Sequence, residues 1–585
     1  MPANQWVLSL AIWYPFGQGY HYSNIEWAGN RALFLCRLPA VRLVAGGMKS
    51  VQTNPYSAKR TGLWLTLAVH SDAFCSSPRA YLEALWWRLR RKRLRSRSQF
   101  ARLLGHSRRA YDLWLLQEHA TPPTGEGSEA MPLIIALVDG RAGQRGLQET
   151  LSSLAANGIA ALLLDENHLS AAAEVVRQID WTKGPWLMPI AAGDRIAPGT
   201  AAAYRTAISG TEAHLIYADD DLLDKDRRFA PHFKPDWNSE LFRHFDYLSG
   251  ACILRATGEE LAALASTEDW GRELVLRAVA KGAPLHIRKV LHHRRKRPKP
   301  EATAAAPVQA RDLPPVTVIV PTRNRVDLLQ TCLWGLAATD YPDIEVIIVD
   351  NDSDDPATLD FLSQLDPGRY RVLRHAGPFN YSAINNRAAA EARGQLLCLL
   401  NNDIEVMEPN WLAIMAVQAL RDDVGAVGAR LLYPDGRIQH AGVVIGMGGA
   451  AGHAHRFLHP KEEGYFQRHS LPQFASAVTA ACLVVMRDRF LAVGGLDDRN
   501  FSVAFNDVDL CLRLNQRGWQ SLYEPRATLI HHESVSRGFD RDPIGAARFA
   551  GELAALQQLW STEGTIDPFH HPELSRASEH FVIRL

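Results

Sequence analysis

The feature that most constrains the fold of this chain is a series of short apolar runs that alternate with segments of helical spacing. Residues 316–320 and 344–349 are rich in β-branched side chains, and residues 395–400 form a third run. Such runs are typical of strands that are buried on both faces of a parallel sheet. Because parallel strands need crossover connections, the alternation predicts an α/β fold with a mainly parallel sheet and flanking helices.

The same alternation occurs twice in the 585 residues. Residues 133–138, 159–164 and 186–190 repeat the strand pattern, and a chain of this length can bury more than one core. Segments 119–131 and 294–315 are rich in Pro, Ala and charge, as linkers often are. The predicted organisation is an irregular and helical region 1–118, a first α/β domain 132–293, a linker 294–313, a second α/β domain 314–540 and a helical tail 541–585.

The composition excludes several classes of protein. With 64 Lys and Arg against 63 Asp and Glu, the net charge is only +1, which argues against a nucleic-acid partner. The seven cysteines are scattered, which indicates reduced thiols rather than a disulfide framework or a zinc site. No stretch is long and apolar enough to span a bilayer, and residues 1–16 make a poor signal peptide. We therefore expect a cytoplasmic protein.

Residues 86–109 form a strongly basic segment, predicted to be a helix. It carries ten Lys and Arg side chains and no acid, with Trp, Leu and Phe between them. A basic helix with aromatic residues can lie on an anionic membrane surface, here the inner face of the cytoplasmic membrane. Alternatively, the helix is solvated and packs its Leu and Trp side chains on the next domain. The sequence leaves both interpretations open.

Three strands of the second domain end in polar clusters, at residues 321–325, 350–352 and 401–403. In open parallel sheets, ligands bind beyond the carboxyl ends of the strands, so these clusters predict a ligand site. Asp403 follows an apolar strand, and carboxylate oxygen suits Mg²⁺ or Mn²⁺. This edge of the sheet is therefore a candidate metal site.

Two further groups lie later in the chain. Asp507 stands at the start of a helical run that stops near Gly518, so it either caps that helix or faces the cleft as a base. Asp509 is two residues along and should point away from Asp507. His531 and His532 follow an apolar strand and could add an imidazole to the site.

From about residue 315 to 539 the chain resembles family 2 glycosyltransferases with the GT-A fold, a Rossmann-like α/β fold, of the bacterial O-antigen and exopolysaccharide type. The resemblance rests on several motifs in the family's order. They include VTVIVPTRNR at 316–325, IIVDNDSDD at 347–355, GPFNYSAINNRAA at 377–389, LLNNDIEV at 399–406, VGGLDD at 493–498, VAFNDVDLCLRL at 503–514 and HHESVSRG at 531–538.

The resemblance implies a metal-dependent inverting transferase with Mn²⁺ or Mg²⁺ as its cofactor. Such an enzyme moves a sugar from a nucleotide-sugar donor to a hydroxyl of a growing polysaccharide or lipid-linked glycan. Asp403 and His531 would bind the metal, with the adjacent His532 leaving the register open, and Asp507 would be the catalytic base. The donor would contact Pro321, Thr322, Arg323, Asp350, Asp352, Asn401 and Asn402.

The first domain resembles a degenerate copy of the second, like the N-terminal transferase domain of two-domain family members. Glu268-Asp269 precedes a helical run and then His292-His293, as Asn506-Asp507 precedes its helix and His531-His532. The place of the metal motif retains one acid, Asp194. A scaffold or acceptor-binding role is favoured over a second active site.

Three alternatives remain beside a single active transferase domain. A nucleotidyltransferase shares parallel sheets and metal carboxylates but usually has a Gly-rich phosphate loop, and residues 322–325 contain no glycine. A bifunctional transferase would use both domains. A non-catalytic carbohydrate-binding protein would lack a use for Asp403, Asp507 and His531.

Overall fold

The computed structural model describes residues 55–118, 132–140, 146–164, 172–264, 269–302, 312–533 and 543–585. The predicted linker 119–131, part of the linker 294–315 and the end of the motif at 531–538 lie outside these residues. Within the described ranges, no helix has both the length and the apolar character that crossing a bilayer requires.

Among residues 55–118, four helices precede the first sheet. They are α1 (Pro55–Ser76), α2 (Pro78–Leu89), α3 (Arg93–Gly105) and α4 (Ala110–Glu118). The single basic helix expected over residues 86–109 is therefore divided in two, with a turn at residues 90–92. Arg91 adopts a left-handed φ of 56°, which ends α2 and redirects the chain.

The first sheet has eight strands in the order β2-β1-β3-β7-β5-β8-β4, with β6 beside β5. Its strands are β1 (Ile134–Asp139), β2 (Ala160–Leu164), β3 (Trp186–Ala191), β4 (Arg195–Ile196), β5 (Leu215–Asp224), β6 (Arg227–His232), β7 (Cys252–Arg255) and β8 (Leu285–Arg294). Its helices are α5 (Leu147–Ala156), α6 (Ala172–Arg177), α7 (Thr200–Ser209), α8 (Ser239–His244), α9 (Gly258–Ala262) and α10 (Trp270–Ala280).

The second sheet has ten strands in the order β11-β10-β9-β12-β19-β14-β20-β13, with β15 beside β14 and β18 beside β20. Its strands are β9 (Val316–Thr322), β10 (Ile344–Asp350), β11 (Tyr370–Arg374), β12 (Leu396–Leu400), β13 (Ile404–Val406), β14 (Val424–Leu432), β15 (Ile438–His440), β18 (Gln473–Ala475), β19 (Cys482–Met486) and β20 (Gln520–His531). A separate hairpin joins β16 (Val443–Ile445) to β17 (Ala451–His453).

Seven helices accompany the second sheet. They are α11 (Val326–Ala337), α12 (Pro356–Gln364), α13 (Tyr381–Glu391), α14 (Trp411–Ala419), α15 (Arg487–Ala492), α16 (Asn506–Gln516) and α17 (Pro543–Trp560). Every residue of β9 and β12 is buried, because apolar clusters cover both faces of the sheet. Burial on both faces explains why these strands are apolar runs rather than alternating patterns.

The two sheets repeat one topology, which confirms that the α/β fold is present twice. The path β2-β1-β3-β7-β5-β8-β4 corresponds strand by strand to β10-β9-β12-β19-β14-β20-β13. In both, the fourth strand of the path is antiparallel to its neighbours, and the strands after it pair in parallel and then antiparallel. The expectation of a mainly parallel sheet thus holds for the strands before β7 and β19, and the remainder of each sheet is mixed.

Polar contacts join the two sheet units directly. Asn238 donates from Nδ2 to the carbonyl of Phe474 at 2.8 Å. Glu240, which is buried, pairs with Arg421 at 2.7 Å. Truncating one partner of a buried ion pair is strongly destabilising, so these contacts hold the first unit in one position on the second.

The chain after α17 packs on the first unit through a cluster of buried titratable groups. Asp219, His286 and His571 place one ligand-type atom each within 4.8 Å of one another. The N–H of Glu573 donates to Nδ1 of His571, and Nε2 of His571 lies 3.0 Å from Oδ2 of Asp219. His286 contacts Asp219 through Nε2 at 3.1 Å and Asp236 through Nδ1 at 3.0 Å.

The charge on His286 should make this contact pH-dependent. Burial opposes protonation, but Asp219 and Asp236 raise the pKa of His286 above its ordinary 6.5. A raised pKa contributes stability that is present below pH 6.5 and is lost as the pH rises through the folded-state value. We expect His286→Gln to lower Tm most below pH 6.5, with a smaller difference at higher pH. Exposed His459→Gln should give no such trend in thermal unfolding.

Candidate active site

The ends of β9 and β10 form one wall of the candidate site. Pro321 and Thr322 are buried and Arg323 is exposed, so only the arginine reaches outward. The buried carboxyl of Asp350 accepts a hydrogen bond from the N–H of Ser353 at 3.2 Å and pairs with Arg374 at 2.5 Å. An exposed guanidinium therefore stands beside the carboxylate expected to receive the nucleotide base.

The loop after β10 is tightly determined by local contacts. Asp352 has a φ of 52° and accepts a hydrogen bond from the N–H of Gly377 at 2.8 Å. Asn351 donates from Nδ2 to the carbonyls of His375 and Gly377, both at 3.0 Å. These bonds make the wall rigid, which favours a preformed ligand pocket.

Asp403 and His531 meet at the end of β12. The pairing of β13 with β20 places Ile404 opposite His531, so the preceding Asp403 lies beside the imidazole. Nε2 of His531 is 3.1 Å from Oδ1 of Asp403 and 3.3 Å from Nδ2 of Asn401. Asn402 turns away and donates to Oγ1 of Thr322 at 3.1 Å, which joins the β12 end to the β9 end.

A residue that the sequence did not reveal, Gln439, orients His531. Its Oε1 lies 2.7 Å from Nδ1 of His531, while its Nε2 donates to Glu533 at 2.8 Å. Because the glutamine oxygen can only accept, Nδ1 carries the hydrogen and the lone pair of Nε2 faces Asp403. This is the tautomer that a metal-binding histidine needs.

The two adjacent histidines therefore have different surroundings. His532 points to Glu405, with 2.9 Å between Nε2 and Oε2, and only its backbone N–H contacts Asp403. The carboxylate oxygen of Asp403 and Nε2 of His531, 3.1 Å apart, are two ligand types that one divalent cation can share. Asp403 and His531 together fit a divalent metal such as Mn²⁺ or Mg²⁺, and His532 does not face that position.

Asp507 is the second residue of α16, which begins at Asn506 after Phe505 turns with a φ of 61°. Its Oδ2 accepts from the N–H of Ala480 at 3.1 Å, and its Oδ1 accepts from the N–H of Val508 at 2.8 Å. It is therefore not the helix cap, because it lies inside the first turn and also bonds a residue before β19. Burial raises the pKa of Asp507, which suits a group that must accept a proton.

Asp509 lies on the opposite side of α16, as its spacing predicted. It is buried and pairs with Arg513 at 2.7 Å. It also accepts a hydrogen bond from Nε1 of Trp560, the last residue of α17, at 3.0 Å. Its contacts are structural, and they hold α17 against α16.

Glu552 is a second group that sequence analysis missed. This buried carboxylate of α17 accepts hydrogen bonds from Oγ of Ser502 at 2.7 Å and from the N–H groups of Val503 at 2.8 Å and Ala504 at 3.2 Å. These residues form the loop that leads into α16. Glu552 therefore positions Asp507 from a helix about 45 residues away, and no local sequence signal marks that role.

The equivalent edge of the first unit contains different chemistry. Asp194 follows β3 as Asp403 follows β12, and its Oδ1 accepts from the N–H of Arg295 at 2.7 Å. The guanidinium of Arg294 lies 3.9 Å away, and burial raises the pKa of Asp194 to about 6. A positively charged side chain thus lies beside the one retained acid.

The strand pairing also corrects the alignment of the two copies. Arg195 pairs with His293 in the first sheet, and Ile404 pairs with His531 in the second. His293 therefore corresponds to His531, whereas the order of the two histidine pairs in the sequence matched His292 with His531. Nδ1 of His293 lies 2.7 Å from Oδ1 of Asp221. His293 is therefore already engaged by a carboxylate within its own unit.

The base position differs as well. Helices α10 and α16 each have 11 residues and end two residues before a left-handed glycine, Gly282 or Gly518. The second residue is Asp507 in α16 and Gly271 in α10. The expected match of Asp269 with Asp507 is therefore wrong by two residues, because Asp269 precedes its helix whereas Asp507 is the second residue of its helix.

Comparisons with known proteins give one family match and several relatives of this chain. Residues 317–481 match the family described as Glycosyl transferase family 2. The uncharacterized protein y4gI of Sinorhizobium fredii is 39% identical over 64% of this chain and 46% of its own length. The O-antigen biosynthesis protein RfbC of Myxococcus xanthus is 36% identical over 67% of this chain and 34% of its own length. The chain thus spans less than half the length of either relative.

Among solved structures, a mannosyltransferase from Pyrobaculum calidifontis in complex with GDP-Man and Mn²⁺ is 18% identical. It covers 46% of this chain and 70% of its own, with a TM-score of 0.34. The family match itself includes Thr322, Asp350 and Asp403, the residues that line the edge of the second sheet. The second unit of this chain therefore contains a segment, residues 317–481, that matches Glycosyl transferase family 2.

Proposed function

We propose that this protein is a metal-dependent inverting glycosyltransferase that moves a sugar from a nucleotide-sugar donor to a hydroxyl of a growing polysaccharide or lipid-linked glycan in the cytoplasm. The observation that carries the proposal is the pairing of Asp403 with the Nε2 lone pair of His531 at the end of β12. RfbC, whose name assigns it to O-antigen biosynthesis, supports a polysaccharide acceptor.

Asp403 and His531 would bind the cation on the donor side of the site. A divalent ion held there would neutralise the charge that develops on the leaving diphosphate. Pro321, Thr322, Arg323, Asp350, Asp352, Asn401 and Asn402 would contact the rest of the donor. The hydrogen bonds of Thr322, Asp350, Asp352 and Asn402 hold this wall in place, so it would orient the sugar without a costly rearrangement.

Asp507 would act as the general base. As the acceptor oxygen attacks the anomeric carbon, its O–H bond breaks and the proton passes to the Asp507 carboxylate. The bond from the anomeric carbon to the diphosphate oxygen breaks, and the nucleoside diphosphate leaves with that electron pair. A single displacement inverts the anomeric centre, so one base suffices and no covalent sugar–enzyme intermediate forms.

The alternative of a nucleotidyltransferase is less well supported. The loop after β9 has left-handed residues at Asn324 and Arg325, and Asn324 accepts hydrogen bonds from the N–H groups of Asp354 and Asp355. The loop is thus bonded to the β10 end and contains no glycine to cradle phosphates. Two incubations separate the alternatives: glycosyl transfer from a nucleotide sugar releases nucleoside diphosphate, whereas nucleotidyl transfer from a nucleoside triphosphate to a sugar 1-phosphate releases pyrophosphate.

The first unit would serve as a scaffold rather than as a second active site. Gly271 stands where the second unit has its base, and Arg294 stands beside the one retained acid. We expect Asp194→Asn to leave the transfer rate within about twofold of wild type, whereas the matched Asp403→Asn should abolish most of it. Loss of a distinct second sugar product in the Asp194 variant would indicate two active domains instead.

A further inference from the structure

A cavity of about 1810 Å³ opens beside Asp507. Its wall is formed by α2 and α3, by the β16–β17 hairpin, by the loop that leads into α16, and by the last residues of the chain. Residues of the basic segment 86–109 and the proposed base, Asp507, therefore line the same cavity. The sequence predicted that this segment lies on a membrane or packs on the next domain.

The charge on this wall is not balanced by neighbouring acids. Five arginines of the basic segment line the cavity: Arg88, Arg91, Arg93, Arg95 and Arg97. None of the five forms an ion pair with any residue in the described part of the chain. Besides Asp507, the lining acids are Glu563 and Glu579, and Glu579 already lies 3.8 Å from Arg456. Several guanidinium groups along one cavity wall attract an anion and raise its local concentration.

Apolar side chains lie among the arginines. Leu94, Phe100 and Leu104 of α3 line the same cavity, and Phe549 and Leu553 of α17 line it as well. A ligand that fits this wall has both a charged group and an apolar or ring-face portion. The wall is thus suited to an amphipathic anion rather than to a neutral oligosaccharide alone.

We infer that this cavity is the acceptor chamber and that the arginines of α2 and α3 bind a phosphate or diphosphate group carried by the acceptor. The inference rests on the proposed role of Asp507, because a general base must touch the acceptor hydroxyl. Arginine presents a planar fork of donors that matches phosphate oxygens, which explains why the lining cations are all arginine. The phosphate-type group belongs either to a lipid-linked acceptor or to an acidic glycan.

Calorimetric titration with farnesyl diphosphate in the presence of EDTA tests the inference. EDTA keeps divalent ions away from Asp403 and His531, so the donor side cannot hold the probe through a cation. We expect the full chain to bind, and the triple variant Arg93→Gln, Arg95→Gln, Arg97→Gln to lose affinity by about tenfold or more. Raising the salt concentration should weaken wild-type binding more steeply than binding to this variant.

The same basic segment supplies a matched control. Arg90, Arg102 and Arg108 lie on it but outside the cavity wall, so their triple Gln variant should bind the probe within about twofold of wild type. Equal losses in the two triple variants, or no binding by wild type, would overturn the inference. Normal probe binding by both triple variants would also overturn the inference. If the control variant then lost binding to anionic phosphatidylglycerol vesicles, the segment would serve a membrane surface instead.

Inorganic pyrophosphate distinguishes the two sources of the anion. Much tighter binding of farnesyl diphosphate indicates a lipid-linked acceptor, and equal affinities indicate an anionic group on the glycan. Binding is measured without donor or turnover, so the proposed function can fail separately. A chain that binds the probe through Arg93, Arg95 and Arg97 but releases no nucleoside diphosphate would contradict the transferase proposal and leave the anion site in place.

Discussion

Asp507→Asn should turn over about 10²-fold or more slowly than wild type, while the donor affinity stays near normal. This is the usual scale for removing a general base, because Asn occupies the same space but cannot accept the proton. In wild type the rate should rise with pH as Asp507 ionises, and burial places that rise above the range of an ordinary Asp pKa. Measured pH–rate profiles should lack this acidic limb in the variant.

The Tm of Asp507→Asn shows whether a lower rate comes from loss of the base or from loss of the folded structure. Because burial raises the pKa of Asp507, folding favours its protonated form, and the ionised carboxylate lowers stability at neutral pH. Neutral Asn removes that cost, but its Nδ2 cannot accept a hydrogen bond from Ala480 or Val508. Because the two effects oppose each other, the Tm of the variant should stay near that of wild type.

Asp509→Asn is the control, since it weakens the contacts to Arg513 and Trp560. It should lower Tm but leave the rate of the folded protein near wild type. Wild-type turnover by Asp507→Asn would show that the base is elsewhere.

Removing the metal with chelator should abolish transfer, and Mn²⁺ or Mg²⁺ should restore it. Gln439→Ala changes no ligand but frees the ring of His531, and it should weaken metal affinity by about 10–100-fold. Asp403→Asn removes the charged ligand and should have a larger effect. The measurement is the metal-dependent rise in Tm that a nucleoside diphosphate produces, which reports binding without turnover.

His532→Ala is the matched control for the metal site. Its side chain pairs with Glu405 and does not face Asp403, so the metal-dependent rise in Tm should remain. An effect equal to that of His531→Ala would reverse the assignment of the two histidines. Full transfer in excess chelator would contradict metal dependence altogether.

Much of the fold could be predicted because its signals are local. Residues 316–320, 344–349 and 395–400 are apolar since both faces of the strand are buried, and each prediction lies within two residues of the observed strand. The helix from Asp507 to near Gly518 could also be predicted from local signals. These are the apolar periodicity of the segment and the glycine that follows it.

The sequence by itself determined the α/β class, its duplication, and the three strand ends where Thr322, Asp350 and Asp403 lie. Only the tertiary structure decided which neighbour each polar group meets. Gln439 orients His531 across two strands, and Glu552 holds the loop before Asp507 from another helix.

The first copy illustrates the same division. Its histidines and acids look in register along the chain, yet strand pairing aligns His293 with His531, and the helix start aligns Gly271 with Asp507. Hydrogen bonds between residues distant in sequence depend on how elements pack, and side-chain periodicity contains no information about that packing. The fold could therefore be predicted from the apolar periodicity of the sequence. The chemistry of each site could be assigned only from the tertiary hydrogen bonds and strand pairings.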